Sequence, residues 1–296
     1  MKYQSLENEV VSDADVVIQQ IAFGESVSAK TGTEEAPASI LEASDELEFY
    51  EEDMDWSPMK YLLVSVCESV SEYEKIKPST KALNITNKQL LISLGGDHSI
   101  TPQITRALLK KPTTIVFLDA HADLRESYLG NEYSHATPVH HLLKDGHKLI
   151  MIGIRSLFET EAIRVKTDKN ISYFSDRALQ KQETKERLLA LLASLDEDVY
   201  LSIDMDVFNP AYVPSVGTPQ PGGIDYYFAT DIFEALFLES SAEIKGVDIV
   251  ELIPEESTVS QTFAAKLLQK IISYWGISQE FHKKEMQGSQ MKIAYE

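Results

Sequence analysis

The run Thr114-Ile115-Val116-Phe117-Leu118 is apolar enough for a buried strand, and it stops abruptly in Asp119-Ala120-His121-Ala122-Asp123. Successive side chains on extended backbone alternate, so Asp119, His121 and Asp123 point the same way. Three ionisable groups on one face at the end of an apolar strand have no packing rationale, and a cation would hold them together. Two further runs behave alike: Leu90-Leu91-Ile92-Ser93-Leu94 leads into Gly95-Gly96-Asp97-His98-Ser99, and Val199-Tyr200-Leu201-Ser202-Ile203 into Asp204-Met205-Asp206. In an open parallel sheet, ligands bind in the crevice beyond the carboxyl ends of the strands.

The rest of the chain supplies such a sheet. Val16–Ile21 reads as the first strand, Gly24 to Thr33 as a Ser/Gly/Thr-rich loop, and a helix begins near Glu35 with Pro37 in its first turn. Leu47–Tyr50 reads as a short strand, and Met59, Leu62, Leu63, Val66 and Val70 carry a helical spacing over 58–75. From residue 90 onward strands and helices alternate: strands at 90–94, 114–119, 149–154, 171–174, 199–204 and 244–250, with helices between them and a final helix at 257–275. This predicts an α/β fold with a parallel sheet covered on both faces. Residues 1–13 read as a polar arm and 279–296 as a polar tail, with a single domain over 1–296 and no linker.

Charge narrows the function. A formal net charge of −20, from 27 Lys+Arg against 47 Asp+Glu, argues against nucleic acid or an anionic membrane as partner and suits a cationic substrate. The single cysteine, Cys67, allows no internal disulfide, which fits a reducing compartment. With no apolar signal core near Met1 and no run approaching the ~20 apolar residues of a membrane span, the expectation is a cytoplasmic protein.

His98, Asp119, His121, Asp123, Asp204 and Asp206 are six candidate ligands, more than one four-coordinate site uses. Two metals sharing carboxylates, ~3.5–4 Å apart as in binuclear hydrolases, use them naturally. Carboxylate and imidazole without thiolate suit manganese, with iron, cobalt or zinc as alternatives. Four aspartates balance two divalent ions. A lone aspartate at a strand end is usually a turn or helix cap; three such ends together are not.

The motifs Gly-Gly-Asp-His-Ser (95–99), Asp-Ala-His-Ala-Asp (119–123), Ser-His-Ala-Thr-Pro (134–138), Ser-Ile-Asp-Met-Asp (202–206), Gly-Thr-Pro-Gln-Pro-Gly-Gly (217–223) and Val-Asp-Ile-Val-Glu (247–251) resemble the ureohydrolase family of arginases and agmatinases, closest to agmatinase. The resemblance implies a three-layer α/β/α fold with a mainly parallel, about eight-stranded sheet, a dimanganese centre, a homo-oligomer (trimer or hexamer) and hydrolysis of a guanidino group to urea and an amine. It implies that His98, Asp119, Asp123 and Asp204 bind one manganese and Asp119, His121, Asp204 and Asp206 the other, Asp119 and Asp204 bridging. It also implies that Glu251 holds the guanidinium, that Thr218 lines the pocket and that His135 moves protons near the leaving nitrogen. The chain departs from the family pattern at Ala136, at Asn209-Pro210 and after Glu251, none of them a ligand.

Arginases carry an Asn that reads the substrate's α-carboxylate; the corresponding position here is Tyr133, beside Glu132. These two residues are therefore expected to face the substrate and to favour agmatine, giving putrescine and urea. The alternatives are an arginase, a guanidinobutyrase or an aminopropylagmatine ureohydrolase. Outside this class stand a two-metal phosphoesterase, which would want an Arg clamp, a zinc deacylase, which would want fewer carboxylates, and a non-catalytic homologue, which would have lost a ligand. His140 and His141 fall on a helix after Pro138, and His147 and His282 read as surface residues.

Overall fold

The computed structural model describes residues 1–24 and 30–284. Eight strands form one sheet: β1 (Val16–Ile21), β2 (Val64–Val66), β3 (Leu90–Gly95), β4 (Thr114–Leu118), β5 (Lys148–Ile154), β6 (Ile171–Ser175), β7 (Val199–Asp204) and β8 (Ile244–Val250). They lie in the order β2-β1-β3-β8-β7-β4-β5-β6, and every pairing is parallel. The helices are α1 (Ala36–Ser44), α2 (Tyr73–Ala82), α3 (Thr101–Leu108), α4 (Pro138–Lys144), α5 (Glu159–Thr167), α6 (Asp176–Leu179), α7 (Gln182–Ala193), α8 (Tyr226–Glu234) and α9 (Val259–Ser278).

The central strands are buried along their whole length, as expected for a parallel sheet covered on both faces. Alternation divides their side chains between two cores. Ile18, Leu90, Ile92, Leu94, Val116 and Leu201 pack with residues of α1, α7, α8 and α9, whereas Val17, Leu91, Ile115 and Phe117 pack with Ile76, Ile104, Val139 and Val165 from α2 to α5.

The strand order explains where a site can form. β1 and β2 lie to one side of β3, while β4, β5 and β6 run away on the other; the last two strands, β7 and β8, fill the gap between β3 and β4. This reversal opens a crevice at the carboxyl edge, and the four strands beneath it are β3, β8, β7 and β4.

Several local expectations give way to tertiary structure. The helical spacing over 58–75 is not realised: Pro58–Lys60 makes a tight 3-10 turn, Val64–Val66 becomes β2, and the helix starts only at Tyr73. Val64, Ser65 and Val66 pair in register with Val16, Val17 and Ile18, so extending the sheet outweighs a helical period. Leu47–Tyr50 forms no strand; the nearest pairing is an isolated Glu51–Trp56 bridge. The N-terminal arm is anchored: Tyr3, Gln4 and Leu6 are buried, and the Gln4 N–H donates to Ser44 Oγ at 3.0 Å. At the other end Phe281 is buried beside Trp275, ring centroids 5.6 Å apart. Residues 25–29 of the expected loop and 285–296 of the expected tail lie outside the described residues.

One close approach sets the position of the first ligand. After β3, the Gly96 N–H donates to Ile21 O and the Asp97 N–H to Phe23 O, both at 2.9 Å. A Cβ on Gly96 would lie 1.8 Å from Phe23 O, inside any contact distance. Only glycine lets the two chains meet and fixes the turn that presents His98. Gly96→Ala is expected to destabilise the protein by about 1–3 kcal/mol, the usual cost of overpacking, and to lower the stoichiometry of added divalent cation; calorimetry and metal analysis check both. Unchanged stoichiometry would show that the turn does not position His98.

Candidate metal centre and substrate cavity

The six residues converge. His98 follows β3, Asp119, His121 and Asp123 follow β4, and Asp204 ends β7 with Asp206 just beyond it. His98 Nδ1 lies 3.2 Å from Asp119 Oδ2, 3.2 Å from Asp204 Oδ2 and 3.6 Å from Asp123 Oδ2. His121 Nδ1 lies 2.8 Å from Asp206 Oδ2 and 3.6 Å from Asp119 Oδ1. Two groups able to hold a cation result, His98–Asp119–Asp204 and Asp119–His121–Asp206, and Asp119 belongs to both.

The residues fit a pair of cations on grounds internal to the structure. Three carboxylate oxygens surround a single imidazole nitrogen, which can offer a proton to only one of them. Asp119 Oδ2 is fully buried and accepts no hydrogen bond from the described residues. The tautomer also suits ligation. Ser202 Oγ donates to Asp248 Oδ1 at 2.6 Å, so it must accept from His98 Nε2–H at 2.9 Å, leaving the Nδ1 lone pair for a metal. Asp248, buried beneath the centre, also accepts from Tyr200 Oη and Thr101 Oγ1, each at 2.8 Å. Phe117 stacks on the His98 ring, centroids 4.6 Å apart.

Electrostatics agree. Burial opposes charge on His98, but its pairing with Asp119 and the neighbouring carboxylates outweigh it and push the imidazole up to about 9. Burial opposes charge on His121 too, yet Asp119 and Asp206 push it up to about 12. Desolvation would raise Asp119, but its pairing with His121 and His98 holds it down at about 2. Asp123 and Asp204 rise well above the ordinary carboxylate range, through burial first and then through neighbouring carboxylates. Crowding of buried like charges thus raises the proton affinity of Asp123 and Asp204 and of both imidazoles.

Glu251 closes the site from the end of β8. Its N–H donates to Gly96 O at 2.8 Å, its Oε1 accepts from the His98 N–H at 2.7 Å, and burial, with Asp97 nearby, pushes it up to about 8. Its Oε2 accepts no hydrogen bond from the described residues. Glu251 and Asp123 both occupy the left-handed region, at φ 67 and 48, the strained backbone that persists where surroundings over-determine it.

A cavity of about 340 Å³ opens over these groups, lined by His121, Asp123, Asp204 and Glu251 together with His135 and Thr218. Thr218 Oγ1 lies 3.4 Å from Asp206 Oδ2. His135 has its Nδ1 3.2 Å from Ser134 Oγ and the edge of its ring against Tyr128, centroids 5.4 Å apart. Glu132 and Tyr133 are not part of the lining, which corrects the expectation that they face the substrate. Tyr133 stacks on His141 at 5.0 Å and meets Tyr73 at 5.7 Å, and Glu132 O accepts from His141 Nε2 at 2.7 Å. Both serve to hold α4 and its preceding loop together. His147 is likewise not a surface residue: it is buried, and its Nδ1 accepts from the Thr113 N–H at 3.0 Å. The wall residues Arg125, Tyr128, Phe158 and Glu161 escaped sequence reasoning. The one signal was local: Glu161 accepts from the Phe158 N–H at 2.6 Å, a helix-capping position at the start of α5.

The model of the arginase family matches residues 14–273. The chain belongs to the arginase family. It is 33% identical over 295 residues to N(1)-aminopropylagmatine ureohydrolase of Synechocystis, covering 93% of this chain and 95% of the relative. It is 32% identical over 283 residues to agmatinase of Pyrococcus horikoshii, covering 91% and 96%. Among solved structures, agmatine ureohydrolase of Thermoplasma volcanium superposes with a TM-score of 0.80 at 29% identity, covering 94% and 95%. The sheet and its flanking helices are those of arginase-like structures, as the motifs implied, and the chain is an enzyme of the ureohydrolase type. Among the described residues no helix is long and apolar enough to cross a membrane.

A pH prediction follows from the raised groups. His98 binds its proton more tightly folded than unfolded, so this stabilisation is full below about 6.5 and lost as pH rises through about 9. Glu251 has the same sign: the native state holds its proton up to about 8, against about 4.3 when unfolded. The metal-free protein should therefore lose stability between about pH 6.5 and 9. Manganese should raise Tm more at about pH 8.5 than at about 6.5, as measured by thermal denaturation with manganese or with chelator. An equal or smaller rise at the higher pH would show that cations and protons do not compete for these positions.

Proposed function

We propose that this enzyme cleaves the guanidino group of agmatine, giving urea and putrescine, with two manganese ions that would be held by His98, Asp119, His121, Asp123, Asp204 and Asp206, Asp119 and Asp204 serving both. The observation that carries the reading is Glu251. A buried carboxylate with one oxygen tied to the backbone of a ligand-type residue and the other with no donor among the described residues, in the same cavity as both ligand groups, suits the fork of N–H donors on a guanidinium. The substrate's charge supplies the cation that this carboxylate lacks, so binding favours its ionised form.

Two divalent ions, when bound, supply water activated to hydroxide near neutral pH. The protein's own residues do the rest. Glu251 fixes the guanidinium carbon over the ligand groups, and Thr218 lines the wall beside Asp206. The C–N bond breaks with a proton delivered to the departing amine, and His135, half-buried in the cavity wall, is the imidazole suited to carry it. Glu132 and Tyr133 play no direct part in choosing the amine. Support for an amine without an α-carboxylate comes from the agmatinase and aminopropylagmatine ureohydrolase relatives, which match along nearly their whole length. We read residues 1–296 as one such catalytic unit, acting in the cytoplasm as a homo-oligomer.

Urea release with manganese, assayed on agmatine, arginine and guanidinobutyrate, tests the reading; agmatine should give the highest kcat/KM, and arginine matching it would identify an arginase. His135→Ala should keep both metals and lose ~10²–10⁴-fold in kcat, the usual worth of positioned proton transfer. Asp204→Ala should lose both metals; full occupancy in that variant would remove the bridging assignment.

A further inference from the structure

Arg155 lies just past the end of β5, where the strand is irregular. The pairing of β5 with β6 skips Gly153, which sits at φ 94. Such an extra residue bends a strand and re-aims the side chains that follow it. Beyond the bend, the N–H groups of Arg155 and Ser156 both donate to Ala120 O at 2.8 Å, which fastens the end of β5 to the residue between Asp119 and His121.

The Arg155 guanidinium is spent wholly on main-chain carbonyls. Its Nη2 donates to Asp206 O at 2.7 Å, to Phe208 O at 3.2 Å and to Gln220 O at 3.3 Å. Its Nη1 donates to Gly153 O and to Val207 O, each at 3.2 Å, and its Nε to Gln220 O at 3.4 Å. Among the described residues no carboxylate stands at ion-pair distance from it. A carboxylate partner would use the rigid fork of donors to hold one side chain; carbonyls use it to hold a stretch of backbone.

The stretch held is a particular one. Residues 206–208 follow β7, and Asp206 belongs to the cation group Asp119–His121–Asp206 but not to His98–Asp119–Asp204. Gln220 lies in the loop that carries Thr218, whose Oγ1 is 3.4 Å from Asp206 Oδ2. His98 receives none of these contacts; its ring rests on Ser202 and Phe117. The two halves of the centre therefore have separate supports.

Resting on the reading of the six residues as ligands of two cations, we infer that Arg155 is a positioning residue for one cation only, the one between His121 and Asp206. Its side chain locks the backbone of Asp206 before any cation arrives, and its own N–H locks Ala120. Without the fork, residues 206–208 must be ordered by the cation itself, which weakens that cation's binding and leaves the partner's intact.

The test is stepwise removal of manganese by a chelator from the loaded full-length enzyme, with bound manganese measured at each step. Wild type should hold two ions. Arg155→Met should keep one as tightly as wild type and hold the other about 10–100-fold more weakly, the usual cost of losing a group that orients a ligand. Arg155→Lys keeps the charge but not the fork. It should show the same split, at about the lower end of that range, and serves should Arg155→Met fold poorly. Double variants identify the ion. Arg155→Met added to His98→Ala should weaken the remaining ion by the same factor, and added to His121→Ala should leave it unchanged. Equal weakening of both ions, no weakening, or full restoration by lysine would overturn the inference while the two-cation reading stands. Failure of both single variants to fold would overturn it too, by making Arg155 a support of the whole domain. Fewer than two ions on wild type would instead remove the two-cation reading, and this role for Arg155 with it.

Discussion

Four carboxylates drawn together out of water are the constraint on which this structure depends. Asp119, Asp123, Asp204 and Asp206 are all buried at the carboxyl edge of one sheet, close around the imidazoles of His98 and His121. Desolvated like charges at this spacing are costly unless neutralised. Imidazoles that hold their protons tightly and crowded carboxyls raised by burial offset the cost, and divalent cations placed among the same groups would offset it too. The fold acts as a frame stiff enough to keep the ligands from moving apart.

That stiffness has named sources. Beneath the ligands, Asp248 gathers donors from Ser202, Tyr200 and Thr101, and through Ser202 it fixes the tautomer and tilt of His98. Phe117 lies flat against the same ring. The backbone takes part as well: Asp204 Oδ1 accepts from the Asp206 N–H at 2.8 Å and Asp206 Oδ1 from the Ala120 N–H at 3.0 Å, stitching the ends of β7 and β4 together. Glu251 and Asp123, both in left-handed conformations, turn their side chains back over the centre where a regular strand or turn would carry them past it. This strain is offset by the hydrogen bonds around it, among them those from Val139 N–H at 3.1 Å to Asp123 O and from Glu251 N–H to Gly96 O.

The ligand-type side chains and the cavity wall come from different parts of the fold. Ligands and Glu251 sit on the ends of the four central strands, which cannot shift without breaking the sheet. Much of the cavity wall comes from the loop after β4 and the start of α5. Within that wall the Tyr128–Asn131 turn is tied by reciprocal backbone hydrogen bonds of 2.9 Å, with Leu129 and Gly130 at positive φ. It holds Tyr128 between Arg125 and His135, so one aromatic ring links the outer wall to the inner one.

The sequence by itself determined the parallel α/β architecture and which six ionisable side chains could converge at one edge of the sheet. Strands of the alternating half declare themselves through apolar runs with their own boundaries, and each of the six residues lies at or just past a strand end. Those signals are local, and parallel pairing then brings all carboxyl ends to one edge whatever the strand order. Tertiary structure alone decided the rest. β2 formed where the spacing predicted helix, because pairing with β1 offered backbone bonds that only an assembled sheet provides. Tyr133 turned away from the cavity, because His141 and the sequence-distant Tyr73 offered it stacking partners. The wall shared by Arg125, Phe158 and Glu161 depends on α5 lying beside the loop after β4. No pattern within either segment encodes that contact, since its energy exists only once the two are packed together.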